Sequence, residues 1–263
     1  MPCRAAHPSR RARGGRHDGV DDRLGGGPPR HHRRSPRRRP GHGQAAARPG
    51  DSVVVIDRNP LPDEFADHPK LTYFEQDVAD LAGLTELGAT IRQRWPRCAS
   101  VIACAGVTYV GSFPDTEFAK WNEVLTTNIT GAVHIVHAVL PSLEATAEAG
   151  ERADVITIGS IADQAYFDDA TIYGACSAAL KAFADHLRIE LRERNVRVSN
   201  IAPGYIRGAF AEFLGGLEQE YTQLGEGLLL PDDVAHVIEF TLDQPAGVHL
   251  GDLDIVATAQ GWA

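Results

Sequence analysis

From residue 50 onward, short β-branched runs alternate with longer helical stretches, and this alternation limits the folds open to the chain. A short apolar run predicts a buried strand, and apolar residues spaced three or four apart predict a helix. Such an alternation predicts an α/β fold, a doubly wound parallel sheet covered on both faces. The predicted strands are 52–57, 71–74, 100–104, 154–158, 197–201 and 254–256. The predicted helices are 81–95, 117–143, 172–194 and 232–242. Whether Pro141 breaks the second of these helices is left open.

The first 49 residues are a different kind of sequence. They contain 13 Arg and 3 Asp, a net charge of +10, whereas residues 50–263 contain 13 Lys or Arg and 32 Asp or Glu, a net charge of −19. Of Val, Ile, Leu, Met and Phe, the segment holds only Met1, Val20 and Leu24. So few apolar side chains cannot offset the entropy of ordering. We therefore predict a basic, disordered segment at 1–49 that is not a domain, and a single domain at 50–263.

Charge and composition restrict the partners of this domain. Its acidic balance argues against nucleic acid and anionic membranes, and no apolar run approaches the roughly 18 residues of a membrane span. The four cysteines lack metal-ligand spacing and are expected to be reduced thiols in a cytoplasmic protein. No carboxylate accompanies the histidines of the predicted helices at ligand spacing, so no metal site is expected. These residues are Cys3, Cys98, Cys104 and Cys176, and His134, His137 and His186.

Two hydroxyl side chains mark the candidate site. Ser160 ends a buried apolar run, and Tyr173 opens a helix thirteen residues later. In a doubly wound sheet, ligands bind outside the carboxyl ends of the strands, so both hydroxyls are expected at one crevice. A free tyrosine has a pKa of about 10, so a base of this type needs a nearby cation at neutral pH. Ser177, one helical turn after Tyr173, supplies none, and Lys181 is expected to be a solvated surface residue.

This arrangement resembles the active site of the short-chain dehydrogenase/reductase family. The resemblance implies that Tyr173 is the general acid/base and that Ser160 holds the substrate oxygen. It also implies that Asn128, in Thr127-Asn-Ile-Thr-Gly131, bends its helix and relays protons through water to a lysine. The family places that lysine at the position of Ser177.

The same resemblance implies a nicotinamide dinucleotide site. Asp57 would accept hydrogen bonds from the adenine ribose and repel a 2′-phosphate, which favours NAD, while Arg58 leaves NADP open. Asp77 and Val78 resemble the family's adenine-binding pair, although an ordinary helix cap remains an alternative that Asp80 fits better. The remaining implied cofactor contacts are Ala105 and Gly106, which follow Cys104 where the family has asparagine, and Pro203 and Gly204, four residues before a glycine (Gly208) that replaces a usual threonine.

One family motif is missing. The glycines of the expected Thr-Gly-x-x-x-Gly-x-Gly turn would fall near positions 33, 37 and 39, which are all arginine. The strand before that turn belongs at the sheet centre, between the predicted strands 52–57 and 100–104. The first strand and its glycine-rich turn are therefore predicted to be missing or replaced, as in a GC-rich gene read out of frame up to about residue 45.

The predicted function is an NAD(P)-dependent oxidoreductase that interconverts an alcohol and a carbonyl compound by hydride transfer. The alternative is a catalytically inactive homologue or damaged gene product without effective cofactor binding. A binding module with a basic tail is a third reading, which depends on residues 1–49 alone. Residues 209–228 are predicted to be a substrate lid or an amphipathic surface helix. The two longest helices carry apolar residues on more than one face, which predicts a homo-oligomer.

Overall fold

The computed structural model describes residues 52–208 and 225–261. Their six strands form two parallel sheets, one with the order β1-β2 and one with the order β3-β4-β5-β6. The strands are β1 (Val53–Asp57), β2 (Leu71–Glu75), β3 (Ser100–Ala103), β4 (Ala153–Ile158), β5 (Val196–Pro203) and β6 (Asp252–Ile255). Each predicted strand is confirmed with small shifts at its ends, and so is the doubly wound α/β class.

Five α-helices connect these strands within the described ranges, and a π-helical turn, Thr126–Gly131, joins the second to the third. The helices are α1 (Leu81–Arg94), α2 (Phe118–Leu125), α3 (Ala132–Glu148), α4 (Thr171–Leu191) and α5 (Pro231–Leu242). The helix predicted to end at residue 143 runs on to Glu148, and Pro141 lies inside it without a break. A proline in a helix interior costs about 3 kcal/mol, but the neighbouring Val139 and Leu143 are fully packed in the core and hold the helix together.

The helices cover the sheet in two layers. On one face, α1, α3 and α4 pack with Val101, Val155 and Val198 in the larger core cluster. On the other face, α5 packs through Val234 and Ile238 against Ile156, Ile201 and their neighbours. Since side chains alternate between the faces of a strand, this division explains why β4 and β5, which are covered on both sides, are almost continuously buried.

The interruption of the sheet falls between β1 and β3. Within residues 52–208 and 225–261, no strand pairs with the edges of β1 and β3 that are not bonded to β2 or β4. This is the place predicted for the missing first strand. The side chains of Val53–Asp57 are half-buried or exposed, whereas those of Val196–Pro203 are all buried.

The stretch Phe118–Glu148 is long and apolar enough, by length and composition alone, to cross a membrane. Much of its apolar surface is used inside the protein, because Val136 and Leu143 belong to the larger core cluster and Val124 is buried as well. Packing in the core therefore accounts for its composition.

Candidate active site

A cavity of about 140 Å³ opens at the carboxyl ends of β3, β4 and β5. All three predicted catalytic residues, Ser160, Tyr173 and Asn128, line it. Four of the predicted cofactor contacts line it as well, namely Ala105, Gly106, Pro203 and Gly204. Residues up to 99 positions apart in the sequence therefore meet at the crevice where doubly wound folds bind ligands.

Ser160 is placed by the end of β4. The Gly159 N–H donates to the Ile201 carbonyl at 2.8 Å, which extends the β4–β5 pairing by one residue. Ser160 then caps a 3₁₀ turn, Ile161–Asp163, and its Oγ accepts a hydrogen bond from the Ala162 N–H at 3.2 Å. Because that bond uses an acceptor lone pair, the hydroxyl proton of Ser160 is left to be donated to a ligand oxygen.

Tyr173 lies in the first turn of α4, the helix that follows the Ser160 turn. The Gly174 N–H donates to the Ala170 carbonyl at 2.7 Å, which fixes the start of the helix beside the cavity. Within the described ranges, no hydrogen bond occupies the Tyr173 hydroxyl. The Tyr173 main-chain carbonyl accepts a bond from Ser177 Oγ at 3.0 Å. Ser177 is buried and thus turns its hydroxyl to its own helix.

Asn128 organises the loop that follows β3. Its Oδ1 accepts from the Val107 N–H and its Nδ2 donates to the Val107 carbonyl, both at 2.8 Å. The π-helical turn that contains Asn128 packs closely against Val78, in the segment that follows β2. A Cβ on Gly131 would lie 2.7 Å from a Val78 methyl. The paired amide bonds hold the loop Cys104–Val107 against the cavity. Its proton-relay role stays a prediction.

The turn after β5 forms another wall and is held by a residue near the C-terminus. Gln260 is 5% exposed, and its Oε1 accepts from the Tyr205 N–H at 3.0 Å. A Cβ on Gly204 would collide with the amide end of the Gln260 side chain, so a larger residue at 204 would displace Gln260. Gly208, which stands where the family usually has threonine, takes a φ of 94°, in the region that disfavours a β-branched side chain.

The other three predicted cofactor residues lie outside the cavity, near the ends of β1 and β2. Asp57 Oδ1 accepts hydrogen bonds from the main chain of Asn59 at 2.8 Å and from its side chain at 3.1 Å. Asp77 Oδ1 accepts from the Ala79 N–H at 2.9 Å, while Val78 is buried against Gly131. The helix cap is Asp80, whose carboxylate accepts from the Gly83 N–H at 3.2 Å. The cap alternative therefore belongs to Asp80.

Lys181, the lysine nearest to Tyr173 along α4, forms ion pairs with carboxylates outside the cavity. Lys181 contacts Asp185 at 3.0 Å and Asp252 at 3.1 Å, and its side chain is 33% exposed. Arg188 joins the same carboxylates, which ties α4 to β6. The hydrogen bond to Asp185 is the main reason why the pKa of Lys181 is raised. Lys181 is therefore a partly exposed residue that is paired with two carboxylates, and it does not line the cavity.

The sequence analysis missed several apolar residues that complete the cavity. Phe167 comes from the loop between Ser160 and Tyr173, and Val110 comes from the loop after β3. Leu180 and Cys176 face the cavity from α4. Their sequence signal was a helical spacing from Tyr173, which indicates a shared face, whereas no local pattern distinguishes Phe167 from other loop aromatics. The predicted lid falls mainly on residues 209–224, which lie outside the described residues.

Comparison with known proteins agrees with this geometry. The family described as short chain dehydrogenase matches residues 43–215. The chain is 29% identical over 236 residues to sulfoacetaldehyde reductase 2 of Chromohalobacter salexigens, covering 85% of this chain and 92% of that protein. It is 28% identical over 209 residues to the NADP-dependent 3-hydroxy acid dehydrogenase YdfG of Escherichia coli, covering 77% and 82%.

Solved structures of similar fold include the serine dehydrogenase of Escherichia coli, with 25% identity, a TM-score of 0.67 and coverage of 81% of this chain and 89% of that one. The closed form of serine dehydrogenase complexed with NADP⁺ gives a TM-score of 0.71 at 24% identity, with coverage of 81% and 88%. Together with the cavity that joins Ser160 and Tyr173, these matches establish that the chain belongs to the short-chain dehydrogenase family of oxidoreductases.

Proposed function

We propose that this protein interconverts an alcohol and a carbonyl compound with NAD or NADP as the hydride carrier. The observation that carries the proposal is the convergence of the Ser160 and Tyr173 hydroxyls on one cavity at the carboxyl edge of the sheet. Both hydroxyls have a proton or lone pair left for a ligand, which is what a reacting oxygen requires.

Each side chain has a distinct part in this reaction. The Ser160 hydroxyl donates a hydrogen bond to the substrate oxygen and orients it. The Tyr173 hydroxyl donates its proton to that oxygen during carbonyl reduction, and the Tyr173 phenolate accepts the proton from the alcohol during oxidation. Asn128 acts through Val107, because its two bonds fix the loop that forms the cavity wall. When bound, the nicotinamide ring supplies or accepts the hydride.

The described residues fit part of such a cofactor. Asp57 lies at the end of β1, and its Oδ1 accepts both hydrogen bonds from Asn59. Its other carboxylate oxygen, Oδ2, would accept a hydrogen bond from a ribose hydroxyl. The backbone at Ala105–Gly106 and at Pro203–Gly204 would hold the nicotinamide end, since small residues there allow a close approach. The family's pyrophosphate site is its glycine-rich turn, which is predicted to be missing or replaced in this chain and whose place before residue 50 lies outside the described residues.

The choice between NAD and NADP depends on Asp57 and Arg58. The Asp57 carboxylate would repel a 2′-phosphate, which favours NAD. The Arg58 guanidinium contacts Glu123 at 3.3 Å and lies 3.9 Å from Asp77, and these carboxylates compete with a phosphate for it. We therefore propose NAD as the preferred cofactor and NADP as the weaker one.

The Tyr173→Phe substitution tests the proposal. Loss of general acid/base catalysis should reduce turnover by at least about 100-fold, measured as nicotinamide absorbance with a panel of secondary alcohols and ketones. Since no described residue bonds to the hydroxyl, the melting temperature should not change. Tyr166→Phe is the matched control, because Tyr166 is 92% exposed and does not line the cavity. Equal rates for both variants would exclude Tyr173 as the catalyst.

A catalytically inactive homologue is the second candidate, and one observation favours it. No Lys, Arg or His is among the described residues that line the cavity, and Ser177 stands one turn after Tyr173 with its hydroxyl bonded to the helix. If calorimetry detects neither NAD nor NADP binding and the unmodified chain turns over no member of the panel, this candidate replaces the first.

The assembly and location of the protein are part of the proposal. Phe118 is 73% exposed on α2 and Ile189 is 60% exposed on α4, and a second subunit over these helices would bury both. Sedimentation velocity measures the mass of the assembly directly.

The described cysteines Cys98, Cys104 and Cys176 are free thiols, as in a cytoplasmic protein.

A further inference from the structure

We propose that the cavity takes neutral carbonyl compounds and alcohols with an apolar body, and that it discriminates against carboxylates and sulfonates. This inference rests on the proposed function and narrows it to a substrate class. It also separates the protein from relatives whose names describe anionic substrates, sulfoacetaldehyde and 3-hydroxy acids.

Apolar side chains form the walls of the cavity beyond the two hydroxyls. The rings of Phe167 and Tyr205 lie side by side, with centroids 6.2 Å apart at 51°. Val110, Leu180 and Cys176, each less than 9% exposed, close the cavity between the loop after β3 and α4. Burial raises the pKa of the Cys176 thiol to about 11, so this side chain is neutral at physiological pH and adds to the apolar wall.

None of the described residues that line the cavity carries a positive charge. The cations of the adjoining elements already contact other groups: Lys181 bonds to two carboxylates, and the Arg207 guanidinium donates to the Gly225 carbonyl at 3.4 Å.

The 3₁₀ turn that Ser160 caps contains a carboxylate, that of Asp163. Asp163 ends this turn, and within the described part of the chain its buried Oδ1 has no hydrogen-bond partner. Asp254 and Asp252 act on the same carboxyl electrostatically, with Lys181 opposing them. A carboxylate or sulfonate in the cavity would meet apolar walls and no cation among the described residues that line it, and would lose hydration without gaining a charged partner.

A matched pair of ligands tests the inference. Methyl benzoylformate and benzoylformate share a ketone and a phenyl ring, and they differ only by the methyl ester that removes the charge of the carboxyl group. Titration calorimetry of the full chain should give at least 100-fold tighter binding for the ester than for the acid. Equal or tighter binding of the acid would overturn the inference, as would the absence of binding by the ester up to millimolar concentration.

A charge-introducing variant adds an independent test. Phe167→Arg places a cation in the wall and should reduce the ester-to-acid affinity ratio at least tenfold, whereas Phe167→Leu, its neutral control, should keep the ratio. A ratio that changes equally in both variants would show that ring packing, rather than charge, sets the preference, and would overturn the inference. If the ester binds but causes no nicotinamide absorbance change, the proposed reaction fails while the substrate class stands.

Discussion

Ser177→Lys is the substitution that examines the candidate site most directly. Ser177 is 6% exposed, lines the cavity and lies one helical turn after Tyr173. A lysine there can extend into the cavity and place its ammonium beside the Tyr173 hydroxyl. Because a nearby cation stabilises a phenolate, we expect turnover to increase.

The expected increase in turnover depends on one favourable and one unfavourable effect of the substitution, while a third effect concerns folding stability. Side chains four residues apart on a helix approach to about 5 Å, where a unit charge pair at an effective dielectric constant of about 20 attracts by roughly 3 kcal/mol. Ordering the lysine side chain costs up to about 2 kcal/mol. Loss of the Ser177 hydrogen bond to the Tyr173 carbonyl mainly affects folding stability. A net gain of about 1.4 kcal/mol corresponds to a tenfold higher rate.

The assay compares kcat at saturating cofactor, followed as nicotinamide absorbance with several secondary alcohols, for the unmodified chain and two variants. Ser177→Met is the control, since it fills similar space without a charge. We expect Ser177→Lys to exceed both by about tenfold, with the largest difference near neutral pH. If the Met and Lys variants have equal rates, charge near Tyr173 does not limit the reaction, and the reasoning is refuted.

Two further predictions concern the surroundings of the cavity. Gln260→Met removes the side-chain acceptor of the Tyr205 N–H, a part-buried hydrogen bond whose loss costs about 1 kcal/mol, and steady-state kinetics should show a KM raised about tenfold; an unchanged KM would remove Gln260 from the positioning of this turn. Asp163→Asn tests a pH effect, because burial, and then the charge of Asp254, raise the pKa of Asp163 to about 6. The folded chain therefore binds this proton more tightly than the unfolded chain, so stability falls as pH rises from about 4 to 6. Urea unfolding at pH 4.5 and 7 should show the variant gaining on the order of 1 kcal/mol at pH 7 after screening, and an equal gain at both pH values would exclude the titration.

Several features could be predicted from the sequence because their causes are local. The alternation of apolar runs with helical spacing predicted six strands, and each was confirmed within a few residues. Ser160 and Tyr173 were predicted to share a crevice because one ends a strand and the other begins the next helix, and both line the cavity. The N-cap role of Asp80 was also predictable, since a cap bonds to a backbone N–H only three residues away.

Other features depended on contacts between distant parts of the chain. Pro141 predicted a possible helix end, but the packing of its neighbours in the core kept α3 intact. Lys181 was predicted to be solvated, yet Asp252 from the last described strand pairs with it. Gln260 and Phe167 carry no sequence pattern that marks a site. Gln260 bonds to the turn after β5, and Phe167 lines the cavity, only when segments distant in sequence fold together.

The sequence by itself determined the family and the α/β class and predicted which two hydroxyls line the cavity, because these follow from residue order and spacing along single elements. Only the tertiary structure decided the character of the cavity. Its apolar walls and its lack of a described cation arise from loops after β3, β4 and β5 that meet at one edge of the sheet. The physical reason is that the electrostatics of a site depend on distances in space, which for pairs such as Lys181 and Asp252 are set by the packing of the sheet against its helices.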